Sequence, residues 1–469
     1  MNIKHSYWTS VVLLALINHC GASGYRFGSQ SVVAQGNADA NGAEANDVSG
    51  QFYNPAILAR QRNSQFQIGG TLVVPDLNYS DNASARFNGA QTSGDNPGRV
   101  APATAFAPML YYSRPLADSI TFGLGMFVPY AAKLDYGTSW PGRYSLEGIE
   151  LKALSINPAL AFRLGERHGV ALGFSAEYMK ATLNQAVDTP GAVRYLATHG
   201  AGSALIPGIV AAGGNPAVLA SVQDAHGQSS GSDWGAGFNL GYLYEPTPGT
   251  RLGIAYRSPI RHELSGDTLW DFSTVTSDAI VNQLIQHASG KLDSGARVRI
   301  TTPETLSAHV FHQIDAQWAL MSDMTWARNS RLQELRIEFP GSTAGDEVIR
   351  QQWKDTWRLS LGLDYGINER LTLRTGFALD QSPVRSPELT HPALPDANRH
   401  WYSAGVNFRM SRNSSLDMAY SLVRFEDAQG NYTNDCSPLK TDCTGNGETT
   451  RGNYRTRLHL FGVSLTQLF

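Results

Sequence analysis

The sequence predicts an all-β fold: a transmembrane antiparallel β-barrel of about fourteen strands, with an N-terminal plug, or hatch, inside its lumen. Three observations support this prediction. Apolar and polar residues alternate with a period of two along many segments from Gln65 onward, as in strands with one face toward lipid. The connectors between these segments are alternately short and long. The stretch from Gly24 to Arg60 is rich in Ala, Gly, Asn and Ser and shows no such alternation.

The composition suits a membrane wall better than a string of soluble domains. Charged residues make up 16% of the 469 residues, against about 25% in an ordinary soluble protein. The 46 glycines and 19 tyrosines fit barrel strands and their aromatic girdles. A formal net charge of -3 gives no reason to expect a nucleic-acid partner.

A secretory signal peptide is predicted at the N-terminus. The apolar run 11–17 is followed by Cys20-Gly21-Ala22, whose small residues allow cleavage after Ala22. No later stretch reaches 18 consecutive apolar residues, so we predict no transmembrane helix. We therefore predict a signal peptide at 1–22, a hatch at 23–64 and a barrel at 65–469. The predicted location is the outer membrane of a Gram-negative cell.

The segment from Asp233 to Glu245 shows the strand pattern most clearly. Its even positions run from Trp234 to Tyr244 and are apolar, while three glycines and Asn239 lie on the other face. A soluble sandwich also alternates, but here the polar face carries many Gly and Ser residues and the apolar face ends in Trp and Tyr. The predicted strands start near Gln65, Ala103, Ser119, Ile149, His168, Asp233, Gly249, Leu292, Gln317, Ile349, Glu369, His400, Ser415 and Tyr454.

The connectors predict which end of the barrel faces outward. Outer-membrane barrels have short periplasmic turns and long external loops, and the long connectors here include 185–232, 266–291, 382–399 and 427–453. Two of them contain apolar helical patterns, at 193–222 and 279–285. These helices could form a landing surface for apolar molecules, or they could cover the barrel mouth and pack on each other.

The hatch ends on Phe52-Tyr53-Asn54-Pro55-Ala56. Proline fixes φ and removes a hydrogen-bond donor, and the residue before it is disfavoured in the α region. Asn-Pro is also common in ordinary turns. The position of this motif, between the plug-like segment and the first strand, favours a hatch or gate element.

Two cysteines lie in one polar external loop. Cys436 and Cys443 are predicted to form a disulfide because the exported chain meets an oxidising environment; two free thiols are the alternative. The surrounding residues supply no zinc pattern, so no metal and no cofactor are predicted.

Motifs at both ends of the mature chain resemble the FadL/OmpP1/TodX family of outer-membrane transport proteins. The N-terminal matches are Gly24-Tyr25-Arg26-Phe27 and the motif 52–56, and the second half matches over Arg374 to Val384 and at Asp417-Met418-Ala419-Tyr420. The resemblance implies a fourteen-stranded barrel with a hatch and uptake of hydrophobic molecules, either long-chain fatty acids or aromatic hydrocarbons. It also implies a landing groove on the external loops, a pocket in the barrel and a sideways exit into the membrane.

The resemblance implies contacts for a fatty-acid carboxylate at Lys180 and Arg336. The alternative for these two side chains is an interfacial position with the charge reaching lipid headgroups. Arg374 and Asp380 point inward by strand parity. We expect them to form ion pairs or hydrogen bonds with the hatch inside the lumen, because an unpaired charge buried there is costly. A role in ligand binding is the alternative.

The third strand carries the candidate exit. Its sequence includes Gly123, Gly125 and Pro129, and proline cannot donate to a ladder while glycine often marks a bend. In the family, a kink in this strand opens the wall. We therefore expect an interruption from Gly123 to Pro129, with Asn54-Pro55-Ala56 close behind it; alternatively, the glycines only make room for hatch side chains.

The alternatives to transport of a hydrophobic solute are a general porin, an enzyme, and an adhesin or receptor. A general porin needs no plug, and no persuasive Ser/His/Asp arrangement supports an enzyme. An adhesin or receptor role of the long loops remains an alternative. The expected partners are a hydrophobic small molecule, membrane lipid and the barrel-assembly machinery. The terminal Phe469 resembles the signal that this machinery reads. The protein is expected to act as a monomer.

Overall fold

The computed structural model describes residues 26–101, 104–198, 202–343, 345–434 and 447–469. The predicted signal peptide and both Cys436 and Cys443 lie outside the described residues. The disulfide therefore stays a prediction.

Fourteen antiparallel strands form the wall, and several of them are interrupted once along their length. The strands are β1 Gln65–Asp81, β2 Ala105–Ala117, β3 Ile120–Asp135, β4 Gly148–Leu164, β5 His168–Val187, β6 Ala225–Thr247, β7 Thr250–Arg257 with Arg261–Asp271, β8 Ser294–Thr301 with Thr305–Gln313, β9 Trp318–Ala327 with Glu334–Glu338, β10 Glu347–Arg350 with Thr356–Asn368, β11 Leu371–Asp380, β12 Arg399–Arg409, β13 Ser414–Phe425 with Ala428–Thr433, and β14 Thr449–Leu468. A two-residue strand, Gly98–Arg99, pairs with β1 in the first external loop.

The last strand closes the barrel onto the first. β14 pairs with β1 from Gln65↔Leu468 to Asp81↔Gly452, which leaves no long free edge at the seam. The predicted fold class is confirmed, and most predicted strand starts lie within a few residues of the observed ones. β6 and β14 begin earlier than predicted because their external ends carry Ser, Thr, Gly and Gln, which hide the alternation.

The hatch residues 26–64 are mostly buried inside the barrel. They form helix α1, Val32–Gly36, and two 3-10 turns, Val48–Phe52 and Pro55–Arg60. Each element begins at a polar cap: the side-chain oxygens of Ser31, Asp47 and Asn54 accept backbone N–H groups, which satisfies donors at the start of the turn. The hatch thus folds as a series of short capped turns.

In the described part of the external loops there are three α-helices: α2 Thr189–Thr198, α3 Gly202–Ala211 and α4 Ala279–Ser289. α4 is capped by Asp278 and ends at Gly290 in the left-handed region, with φ of 70°. Ile209 of α3 and Val281 of α4 are both buried and share one apolar cluster, so the loop helices pack together over the barrel. No described helix is both long and apolar enough to cross a membrane.

Candidate functional site

The wall between β2 and β3 is paired along only part of its length. Pairing runs from Ala117↔Ile120 to Leu110↔Met126 and then stops. β2 continues for five more residues, to Ala105, and stays paired with β1 there. On the other side of β3, the register with β4 shifts between Phe127 and Tyr130, which marks a bulge. A break therefore separates β2 from β3 beside Phe127–Tyr130.

The start of the described hatch fills this break. Arg26 forms an antiparallel bridge with Tyr130, and the Phe27 N–H donates to the Pro129 carbonyl at 2.8 Å. The Gln30 side chain donates to the Val128 carbonyl at 2.6 Å and accepts from the Val128 N–H at 3.0 Å. The hatch thus supplies β3 with hydrogen bonds that β2 does not make.

Two predicted residues of the kink lie below the break rather than in it. Gly123 and Gly125 are paired with both β2 and β4, so the expected interruption from Gly123 is corrected to begin at Phe127. A Cβ on Gly123 would lie 2.4 Å from Leu58 of the hatch, and one on Gly125 would meet the Tyr111 ring at 3.0 Å. These glycines make room for hatch and wall side chains, as the alternative held.

The residues of the hatch motif 52–56 contact different parts of the wall and of the hatch. The Phe52 ring packs edge-on against Phe127 with centroids 4.8 Å apart, so it lies behind the break. The Tyr53 hydroxyl donates to Asp39 at 3.0 Å. Arg257 donates to the Phe52 carbonyl at 2.8 Å and covers the Phe52 ring at 4.9 Å.

The expectation that Asn54-Pro55-Ala56 lies behind the third strand is wrong. The Asn54 amide donates to the Tyr242 carbonyl of β6 at 3.1 Å. Cβ atoms placed on Gly241 or Gly253 would lie 2.3 Å and 2.7 Å from the Asn54 side chain. This turn docks on β6 and β7, because only glycines in those strands let it approach so closely.

The predicted lumen charges contact the hatch through ion pairs. Arg374 pairs with Asp417 at 2.6 Å and with Asp364 at 3.6 Å, and Asp364 accepts from Asn37 of the hatch at 2.8 Å. The Arg374 side chain also packs beside Gly36. The geometry is that of a structural anchor, with no free charge facing a ligand.

A second ion-pair chain runs from the hatch to the wall through Asp380. Arg358 pairs with Asp39 at 2.9 Å and with Asp380 at 3.9 Å. Arg399 extends the chain to Asp380 at 3.7 Å and to Asp396 at 3.3 Å. Four of these groups line a cavity of about 80 Å³ between the hatch and the wall: Asp39, Arg358, Asp380 and Arg399.

An apolar pocket lies above this level, in the external half of the barrel. The strands β7 to β10 are interrupted at 258–260, 302–304, 328–333 and 351–355, and aliphatic residues follow on the inner face of their external parts. The apolar pocket is lined chiefly by Ile149, Leu151, Leu183, Leu264, Ala296, Val298, Ile300, Leu335, Ile337, Ile349 and Leu394. Its enclosed volume is about 70 Å³.

Neither predicted carboxylate contact faces this pocket. Lys180 is exposed, while its neighbour Met179 is buried on the inner face, so Lys180 points out of the wall. Arg336 is half exposed and pairs with Glu334 at 3.0 Å and Asp346 at 3.2 Å, on the face opposite Leu335 and Ile337. Both expectations are corrected for the same reason: a one-residue error in register turns a side chain to the other face.

A cation that the sequence did not single out lies beyond the residues that line the pocket, at the external ends of the strands. The Lys291 ammonium is 4.2 Å from the centre of the Trp270 ring, and that ring contacts Phe339, two residues beyond the pocket residue Ile337. Burial holds the pKa of Lys291 below its usual value, against weaker opposing effects of the charges of Glu347 and Glu448. Within the described residues, Lys291 forms no ion pair. Its loop position has no periodicity, so no sequence signal was available.

Comparison with known sequences places this architecture in a family. The family model for outer membrane protein transport protein (OMPP1/FadL/TodX) matches residues 13–469. An outer membrane protein of Neisseria meningitidis serogroup B is 30% identical over 459 residues, which cover 96% of this chain and 95% of that protein. A long-chain fatty acid transport protein of Salmonella typhi is 26% identical over 425 residues, covering 90% of this chain and 92% of that protein.

Solved structures share the fold. A Pseudomonas aeruginosa FadL homologue superposes with a TM-score of 0.81 at 22% identity, covering 95% of this chain and 99% of that one. The P. putida toluene transporter TodX superposes with a TM-score of 0.66 at 19% identity, covering 92% and 98%. Together with the family match over nearly the whole sequence, the closed barrel and its hatch assign this chain to the OMPP1/FadL/TodX family of outer membrane transport proteins.

Proposed function

We propose that this outer-membrane transporter takes up long-chain fatty acids, which bind in the apolar pocket and leave sideways through the break between β2 and β3. One observation carries the choice of substrate: the Lys291 ammonium lies over the Trp270 ring, which contacts Phe339, two residues beyond the aliphatic pocket. Such a site offers an apolar wall for an alkyl chain and a cation for a carboxylate.

The energetics favour a long alkyl chain in this pocket. Each CH₂ group that moves from water into an apolar site contributes about 0.8 kcal/mol. The enclosed volume of about 70 Å³ is less than half of the roughly 150 Å³ that holds one benzene ring in an engineered cavity. Any ligand must therefore push the lining side chains apart, and a long chain buries enough surface to offset that cost.

The exit is supported by the way the hatch closes the break. The backbone of Val128 and Pro129 is bonded to Gln30 and Phe27 in place of β2. Hydrogen bonds to a movable segment can be released without unpairing the wall itself. Retraction of residues 26–30 would therefore open a lateral path while the barrel stays closed elsewhere.

Aromatic hydrocarbon uptake is the second candidate. The mainly aliphatic lining of the pocket suits a neutral hydrocarbon, and the toluene transporter TodX shares the fold. A neutral hydrocarbon would have no use for Lys291, so that residue distinguishes the two substrates.

The test compares ligand binding to the purified protein and to two Lys291 variants. Lys291→Met should weaken oleate binding by roughly tenfold or more, because a hydrogen bond to a charged group contributes about 1.5–3 kcal/mol. Lys291→Arg, the matched control, should retain it, and oleyl alcohol should bind all three proteins alike. If wild type and Lys291→Met bind oleate equally and toluene binds more tightly, the substrate is an aromatic hydrocarbon and not a fatty acid.

A further inference from the structure

Two lysines face each other on the outside of the wall. Lys152 of β4 and Lys180 of β5 are direct cross-strand partners. Both point outward, since Leu151 and Met179 beside them are buried on the inner face. Like charges directly opposite each other in an antiparallel pair destabilise it. The pair therefore calls for a counter-charge.

The protein supplies only part of that counter-charge. Glu150 lies 3.2 Å from Lys152 and 3.5 Å from Lys133, so this one carboxylate is shared by two ammonium groups. Lys180 is exposed and forms no ion pair with any residue that the structure describes. The patch of Lys133, Lys152 and Lys180 thus keeps an excess of positive charge.

The neighbouring residues fix the height of this patch in the membrane. Tyr178 and Trp234 are cross-strand partners two residues nearer the membrane centre, with ring centroids 5.4 Å apart. Trp234 is 60% exposed, as expected for an aromatic girdle at the lipid–water boundary. On the next strand, Lys180 is paired with Ser232. The lysines therefore lie at the headgroup level of the external leaflet.

We infer that Lys152 and Lys180 bind a phosphate group of a phosphorylated glycolipid in the outer leaflet. This inference is independent of the transported substrate. A phosphomonoester carries a charge of about -1.5 to -2 and three acceptor oxygens, so one group can neutralise both ammoniums. Basic clusters at headgroup level are a recurrent way of binding anionic lipids, and Ser232, the cross-strand partner of Lys180, adds a hydroxyl group at the same height.

The experiment measures retention of diphosphorylated lipid A by native mass spectrometry of the detergent-purified, full-length protein. The test variant is Lys152→Gln/Lys180→Gln. The matched control, Arg167→Gln/Arg370→Gln, removes the same charge from exposed arginines at the periplasmic turns. Parallel titrations use lipid A without phosphates and inorganic phosphate. Heat-dependent gel mobility verifies that each barrel is folded, and single Lys180→Gln substitutes for the double variant if that fails to fold.

We expect the double variant to bind diphosphorylated lipid A about twenty-five-fold more weakly than wild type, from roughly fivefold per lysine. The single variant should show the fivefold loss, and the arginine control none. Wild type and the double variant should bind lipid A without phosphates equally well. Equal retention of diphosphorylated lipid A by wild type and the lysine variant would overturn the inference, as would wild-type binding of inorganic phosphate as tight as that of the glycolipid.

Discussion

The side-chain amide of Gln30 bonds to both backbone polar groups of Val128, at 2.6 Å and 3.0 Å. An amide side chain has the same donor and acceptor as a peptide group. Gln30 therefore takes the place of a strand partner at the point where β2 has left β3. Together with the bond from the Phe27 N–H to the Pro129 carbonyl, this side chain connects the hatch to the wall at the proposed exit.

Replacing Gln30 by alanine should loosen the break. The substitution leaves the Val128 N–H and carbonyl without their partner, at a cost of about 1–3 kcal/mol for unsatisfied buried groups. Hydrogen exchange at the Val128 amide should then accelerate by roughly tenfold or more. Gln51→Ala is the matched control, because Gln51 makes a single 3.3 Å bond to the Leu124 carbonyl, where the strands are paired. Unchanged exchange in Gln30→Ala would show that the amide does not hold the break closed.

Gly376→Ala should displace the hatch. A Cβ at this position would lie 2.2 Å from the backbone carbon of Asn37, and a backbone contact cannot yield as a side chain does. Overpacking of this kind costs about 1–3 kcal/mol. Gly366→Ala, on the neighbouring strand, is the control because its Cβ would meet ordinary contacts at 3.7 Å. Limited proteolysis should cut the hatch of the Gly376 variant faster, and equal rates in the two variants would refute the close approach.

Arg358→Ala should weaken hatch docking more than the loss of a surface ion pair does. The Asp39 carboxylate has no exposed surface, and an unpaired buried charge costs about 3–5 kcal/mol. Arg297→Ala breaks a pair with Glu263 in which both groups are more than a third exposed, and should cost at most about 1 kcal/mol. Protease protection of the hatch is the measurement. Similar protection in both variants would mean that Asp39 finds another partner.

The connector before β14 should lose stability as the pH rises. Burial raises the pKa of Glu448 to about 7, from an ordinary value of 4.5, against weaker opposing hydrogen bonds. A carboxyl group with a raised folded-state pKa stabilises the fold fully below pH 4.5 and progressively less as the pH approaches 7. The loss amounts to at most about 3 kcal/mol. Trypsin cleavage near Arg451 should accelerate between pH 5 and pH 8 in wild type, after correction for the pH dependence of trypsin itself.

The Glu448→Gln variant is the control for this pH dependence. Glutamine keeps side-chain hydrogen bonding toward Ser145 and Asn434 but does not titrate. Its corrected cleavage rate should be flat over the same range. A parallel rise in both proteins would assign the effect to another group.

The period-two alternation predicted the wall, because each strand has one face toward lipid and this requirement shapes the sequence of that strand alone. The same parity argument correctly turned Arg374 toward the lumen, where the structure pairs it with Asp417. The same parity places Lys180 on the outward face of Leu172 and Phe174, where the structure has it. Its expected role as a carboxylate contact came from the family resemblance and not from the alternation.

The position of the exit was only partly accessible from sequence. Pro129 marked the correct strand, since it cannot donate to a ladder. The limits of the break depend instead on where β2 stops pairing, at Leu110↔Met126, and this is a property of distant segments. Gln30 carried no signal, because its role requires Val128 to be left without a strand partner.

The most direct test of the transport account is a reversible cross-link across the break. Arg26 and Tyr130 form an antiparallel bridge, and partners in such a bridge have Cα atoms about 4.5–5.5 Å apart, within reach of a disulfide. The protein to be measured is Arg26→Cys/Tyr130→Cys, with Cys436 and Cys443 replaced by serine. Oleate uptake into cells should stop when the pair is oxidised, because the cross-link holds the hatch in the break, and should return on reduction. The reduced form of the same protein is the control. Uptake at the same rate in the fully cross-linked and reduced states would contradict exit through the β2–β3 break.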